Sequence, residues 1–114
     1  MALAKKYRLK RKKDFLKIKQ KGEILDTPLF GLLVLQEKTS FPLFGFVISR
    51  KISRKAVLRN KIRRRLTETV RLLLPRLKPN IKILVLAKKS LLQAKFQEIF
   101  QTMEKSLAEL DWLN

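Results

Sequence analysis

Three apolar runs of strand length, Leu29 to Leu35, Leu43 to Ser49 and Ile81 to Ala87, constrain this chain more than any other feature. Each is too short for an ordinary helix and far too short to span a bilayer, so all three are predicted strands. A polar turn at Glu37 to Ser40 and Pro42 separate the first two, which predicts an antiparallel hairpin. Helical periodicity fills the rest. Lys12 to Lys21 carries Phe15, Leu16 and Ile18 and stops at Gly22, a helix C-terminal signal. Ser53 is positioned to cap a second helix reaching about Leu74, with Leu58, Ile62, Leu66, Val70 and Leu73 as its apolar stripe and Pro75 as its stop. Ser90 with Gln93 has the form of a capping box, opening a third helix with the stripe Leu92, Phe96, Ile99, Met103, Leu107 and Leu110. With no repeat or low-complexity linker, residues 1–114 read as a single domain. The expected fold is α+β: a single-layer sheet of about four strands packed with three helices, in the order α-β-β-β-α-β-α.

Charge narrows the function. The 114 residues are 46% hydrophobic, enough for a packed core, yet carry a formal net charge of +19. A compact chain so charged repels itself unless it works beside a polyanion, and nucleic acid is the default partner. Met1 to Glu23 holds ten basic and two acidic residues, and Arg50 to Arg71 holds ten and one. The segment between them, Ile24 to Ser49, has one basic and two acidic residues. Two basic blocks thus flank a nearly uncharged middle, and the partner is expected to meet both together. With no Cys and no His, the chain lacks thiolate nucleophiles, disulfides, the usual zinc ligands and imidazole acid/base chemistry. Lys5 and Lys6 are not followed by the apolar core of a signal peptide, so a cytoplasmic protein without a membrane partner is expected.

The second helix shows where the polyanion would sit. At about 100° per residue, Asn60, Lys61, Arg64 and Arg71 point away from the apolar stripe, with Arg63 at the border. The plain alternative is a solvated face, but solvated faces mix signs. Between Lys55 and Arg71 there are seven Lys or Arg residues and one acid, Glu68. Like charges one helical turn apart cost roughly 0.2 to 0.5 kcal/mol each. Arg54 and Lys55 also stand at the helix start, where the dipole disfavours cations by roughly 0.3 to 1 kcal/mol apiece. A phosphate near that terminus reverses both penalties.

These residues carry a resemblance. The run ISRKISRKAVLRNKIRRRL, Ile48 to Leu66, resembles the signature of the protein subunit of bacterial ribonuclease P, whose Arg-Asn-x-x-Arg-Arg core is matched by Arg59, Asn60, Arg63 and Arg64. YRLKRKKDF, Tyr7 to Phe15, is similar to the family's opening, and FGFVIS, Phe44 to Ser49, and IKILVLAKK, Ile81 to Lys89, to two of its strands. The resemblance implies a left-handed βαβ crossover, an exception to the usual right-handed rule. It further implies that a catalytic RNA subunit removes the 5′ leader of precursor tRNA with Mg2+, held mainly by that RNA, while the protein binds both RNAs and performs no chemistry. Lys51, Arg54, Lys55, Arg59, Asn60, Lys61, Arg63 and Arg64 would then contact the RNA subunit. Lys12, Phe15, Lys19, Phe30, Phe44, Phe46, Lys88 and Lys89 would serve the leader, with aromatic faces stacking bases and cations following phosphates.

The chain departs from the family pattern at Lys19, where a second aromatic is common, and near Leu33, where a strand tyrosine is often found. Backbone electrostatics are therefore expected to carry more of leader binding. For Phe15, beside Leu16 and Ile18, core packing is the competing role. Two other function classes stay open: a general RNA-binding or ribosomal protein, and a DNA-binding module whose Asn60 and Arg64 read a major groove. DNA is not the expected partner.

Overall fold

The computed structural model describes residues 4–113. Helix α1 covers Lys12–Lys21, and strands β1, β2 and β3 cover Glu23–Asp26, Phe30–Gln36 and Leu43–Val47. Helix α2 spans Ala56–Leu73, strand β4 Ile81–Ala87 and helix α3 Phe96–Glu109. The strands form one sheet in the order β1-β2-β4-β3, antiparallel except for the parallel pair β3 and β4. This is the α+β arrangement expected, in the expected element order.

The expected hairpin between the first two apolar runs does not form. β4 lies between them, pairing antiparallel with β2 from Phe30↔Ala87 to Gln36↔Ile81 and parallel with β3 from Leu43↔Lys82 to Val47↔Leu86. The reason is burial: Ile81 to Val85 are buried without interruption, as suits a central strand covered on both faces. β3 and β4, being parallel, need a crossover, and α2 supplies it. The hairpin that does form joins β1 to β2. Its turn is held by Thr27, whose N–H donates to the Phe30 carbonyl at 3.0 Å and whose Oγ1 accepts from Phe30 N–H at 3.0 Å.

Alternation along the strands divides the sheet into two faces. Phe30, Leu32, Val34, Phe44, Ile81, Ile83 and Val85 turn toward α2 and α3 and build the main core with Ile62, Leu66, Val70, Leu73, Ile99, Met103 and Leu107. Leu33 and Leu84 turn the other way, onto Leu9 and the fully buried Ile18 of α1, with Phe15, Leu43, Val47 and Leu86 around them. The helices therefore cover both faces of the sheet.

Both predicted caps are corrected. α2 begins at Ala56 with no side-chain cap; Ser53 Oγ accepts from Lys55 N–H at 3.2 Å in the loop before it. α3 begins at Phe96, because Lys89–Leu92 form a 3-10 turn that buries Leu91. Ser90 instead donates its hydroxyl to the Pro28 carbonyl at 2.6 Å.

Candidate nucleic-acid interface

β3 is an edge strand, and its outer side is where α1 and α2 approach each other. The N-terminal segment follows that edge for one step: Leu9 N–H donates to the Phe44 carbonyl at 2.8 Å, with Arg8 paired to Phe44. Beyond this contact the edge opens into a hollow of about 650 Å³. One wall is Arg8, Leu9 and Phe15, the floor is Phe44, Gly45 and Phe46, and the other wall is Val57, Asn60, Arg63, Arg64 and Thr67 of α2. Phe15 lies directly on Gly45, where an added Cβ would stand 2.9 Å from Phe15 Cε1. Only glycine lets the ring settle so close to the strand.

The hollow joins residues the sequence had assigned to separate partners. Asn60, Arg63 and Arg64 face Phe15 and Phe46 across it, with exposed, polar α2 side chains over an aromatic floor. Lys61, Lys51, Arg54 and Lys55 are exposed outside the hollow and extend the basic surface around the start of α2. Arg59 is half-buried and donates to the Ser53 carbonyl at 2.8 Å, so it also fastens the loop before α2. Among the described residues, no carboxylate pairs with any of these cations; the ion pair on α2 is Arg71 with Glu68, at 2.5 Å. Hydrogen bonding to Arg71 holds the Glu68 carboxyl below its ordinary range.

The other leader candidates divide. Lys12 and Lys19 are exposed on α1, flanking Phe15 at helical spacing. Phe30 is fully buried in the main core, so it presents no face to a base and leaves the candidate set. Phe44 is 2% exposed and belongs to the main core, whereas Phe46 is half-buried. Lys88 and Lys89 lie beyond the C-terminal end of β4, away from the hollow. Lys88 Nζ is 2.6 Å from Asp26 Oδ1 and donates to the Thr27 carbonyl at 2.6 Å, which locks it to the β1–β2 turn.

Sequence reasoning missed Arg8, Leu9, Val57 and Thr67. Val57, an apolar side chain 73% exposed off the stripe of α2, was the one legible signal. The position of Arg8 depends on an edge pairing that no local pattern encodes. Among the described residues, no group of three or more Asp or Glu side chains could hold a metal ion. Most carboxylates are instead bound to Lys or Arg.

A profile of the family described as Ribonuclease P matches residues 3–111. The chain belongs to the ribonuclease P protein family. A ribonuclease P protein component from Picosynechococcus sp. is 30% identical over 111 residues, covering 97% of this chain and 96% of the relative. Another, from Symbiobacterium thermophilum, is 36% identical over 104 residues and covers 90% of each. In structure, the chain is similar to the RNase P protein of Staphylococcus aureus, with a TM-score of 0.84 at 27% identity over 95% of this chain and 98% of that one. It is also similar to the RNase P protein of Thermotoga maritima, with a TM-score of 0.79 at 27% identity over 88% and 94%. As a ribonuclease P family member, the chain belongs to the protein side of a tRNA-processing ribonucleoprotein.

Proposed function

We propose that this protein is the RNA-binding subunit of a ribonuclease P holoenzyme in which the RNA subunit cleaves the 5′ leader from precursor tRNA. The observation that carries the reading is the hollow at the β3 edge, where an aromatic floor meets Arg63 and Arg64 of α2, which among the described residues pair with no carboxylate. Such a surface suits a single strand: phosphates meet cations, and an unstacked base meets the Phe15 or Phe46 ring. On this reading Lys51, Arg54, Lys55, Lys61 and the outer side of Arg63 and Arg64 hold the RNA subunit. Phe15, Phe46, Lys12 and Lys19 hold the leader against it. On the same reading Mg2+ is held mainly by the RNA subunit, and the protein's part is to bind and orient. The domain spans 1–114 and acts in the cytoplasm.

The duplex-DNA alternative fits less well. Asn60 and Arg64 face a hollow closed on its far side by Phe15 and β3, rather than projecting as a recognition helix must. The test is reconstitution. Freed of RNA, the protein should cleave nothing. Added to the catalytic RNA of its own genome, it should restore 5′ processing at low magnesium, because its cations reduce the electrostatic cost of docking substrate. Cleavage by RNA-free protein would overturn the proposal, as would tighter binding to duplex DNA than to that RNA at moderate salt.

A further inference from the structure

The N-terminal basic block forms a second hollow, of about 680 Å³, on the other side of Arg8, which lines both. Lys5, Lys6, Lys10, Arg11 and Lys13 surround it with Arg8, and among the described residues none of the six is paired with a carboxylate. Its two acids, Asp14 and Glu37, are already bound by Lys82, and Glu37 by Lys17 as well. The hollow therefore presents cations without counter-charge. Beside Lys6, one of its lining residues, Tyr7 and Phe41 stack edge to face with centroids 5.6 Å apart. Lys6 Nζ lies 5.2 Å from the Tyr7 ring centroid and 5.1 Å from that of Phe41, which joins the aromatic pair to the basic surface. Phe41 is 42% exposed, and the main core does not need its ring.

Resting on the reading of the β3-edge hollow as the leader site, we infer that the second hollow continues that site and binds the 5′-distal part of the same single strand. The strand passes Arg8, its phosphates lie among Lys5, Lys10, Arg11 and Lys13, and a base stacks at Tyr7 and Phe41. A duplex buries its base faces and has no use for an exposed ring such as Phe41, whereas an unpaired strand does. Charge selects the partner: a protein surface matching six unpaired cations would need an equal density of carboxylates, while RNA carries one phosphate per nucleotide.

The test is a leader-length series with reconstituted holoenzyme: mature tRNA, precursor with a leader long enough for the first hollow, and precursor with a leader several nucleotides longer. Affinity should rise at both steps. The double variant Tyr7→Ala, Phe41→Ala and the triple variant Lys5→Gln, Lys10→Gln, Lys13→Gln should each remove most of the second step, about tenfold. The first step and assembly with the RNA subunit should be unchanged. Tyr7 is half-buried and packs against the main core, whereas Lys5, Lys10 and Lys13 are exposed and their variant removes no core contact, so a folding defect in the aromatic variant would leave the lysine variant decisive. A second step absent from wild type, or kept in both variants, overturns the extension alone. Loss of RNA-subunit assembly in the variants assigns the hollow to that RNA and also overturns it. If the short leader binds no better than mature tRNA, the leader site itself fails.

Discussion

Gly45 sets the height of the Phe15 ring above the sheet. A methyl group there would meet Phe15 Cε1 at 2.9 Å and Leu84 Cδ1 at 3.1 Å, so Gly45→Ala must lift the ring or push Leu84 into the smaller core. Overpacking of this kind costs roughly 1 to 3 kcal/mol. The variant should lose leader-dependent affinity while keeping assembly with the RNA subunit. In a Phe15→Ala background the added cost should shrink, because the clashing ring is gone; thermal unfolding of both singles and the double measures that coupling. Phe15→Ala alone should cost roughly 1.5 to 2.5 kcal/mol, less than a fully buried phenylalanine, because its ring is half-buried. Arg64→Ala, by contrast, touches no core contact. It should leave the melting temperature unchanged and weaken RNA-subunit binding by roughly 1.5 to 3 kcal/mol, readable by titration of the labelled RNA. The shared face of Asn60, Arg63 and Arg64 was legible because helical spacing fixes direction. The burial of Phe30 was not, since alternation pairs residues on a face without saying which element covers it. The capture of Lys88 by Asp26 was equally hidden, being a contact between residues far apart in sequence.

At the scale of elements, α1 is fastened to the sheet by a small ionic cluster beside its apolar contacts. Lys82 of β4, buried, places Nζ 3.0 Å from Asp14 Oδ1 on α1 and 2.7 Å from Glu37 Oε1 after β2, and Lys17 of α1 also pairs with Glu37. Burial works against the charge on Lys82, but its bonds to Glu37 and Asp14 outweigh that and raise its pKa above the ordinary lysine value. Hydrogen bonds from Lys17 and then Lys82 draw the Glu37 pKa down from 4.5 to about 2. A carboxyl depressed in the folded state contributes stability that is present above its unfolded pKa and lost as pH falls through the folded one. Glu37 should therefore support the fold fully at neutral pH and lose its contribution between about pH 4.5 and about pH 2. Glu37→Gln should be less stable than wild type at neutral pH, and its melting temperature should fall less on acidification across that window. The ranges of α1 and β4 were readable because Gly22 ends one and an unbroken apolar run defines the other. The hairpin partner of β2 was not, because Glu23–Asp26 is short and mostly exposed and has no strand signature of its own. Ser90 failed as a cap because burying Leu91 in a 3-10 turn won over an earlier helix start.

For the whole molecule, most of the formal charge of +19 comes from Met1 to Glu23 and Arg50 to Arg71, the two segments that supply nearly all the cations of both hollows and the start of α2. Binding to RNA should release counterions in proportion to the phosphates engaged, so the logarithm of affinity should fall linearly with the logarithm of salt. On single-stranded regions the slope should be near −0.7 per contact, and for the long-leader precursor, though not for RNA-subunit assembly, the triple lysine variant should flatten it by about two. Filter binding or anisotropy over a salt series reads this directly. A slope unchanged by the variant would mean that those lysines do not touch phosphate.

The central position of β4 bears on how the chain comes into being. β2 and β3 pair with β4 and not with each other, yet β4 follows both in the chain, with α2 between. As the polypeptide emerges from the ribosome, only the short β1–β2 hairpin can close, and a lone hairpin is marginal in water. Until Ala87 is out, β3 has no sheet to join and α2 has no core under its apolar stripe. Sheet formation then brings together strands separated by about a third to a half of the chain, a slow kind of closure that leaves sticky surfaces open meanwhile. The two basic blocks are present on those unfinished copies as well, and like charge of this density opposes association between neighbouring nascent chains before the last strand arrives.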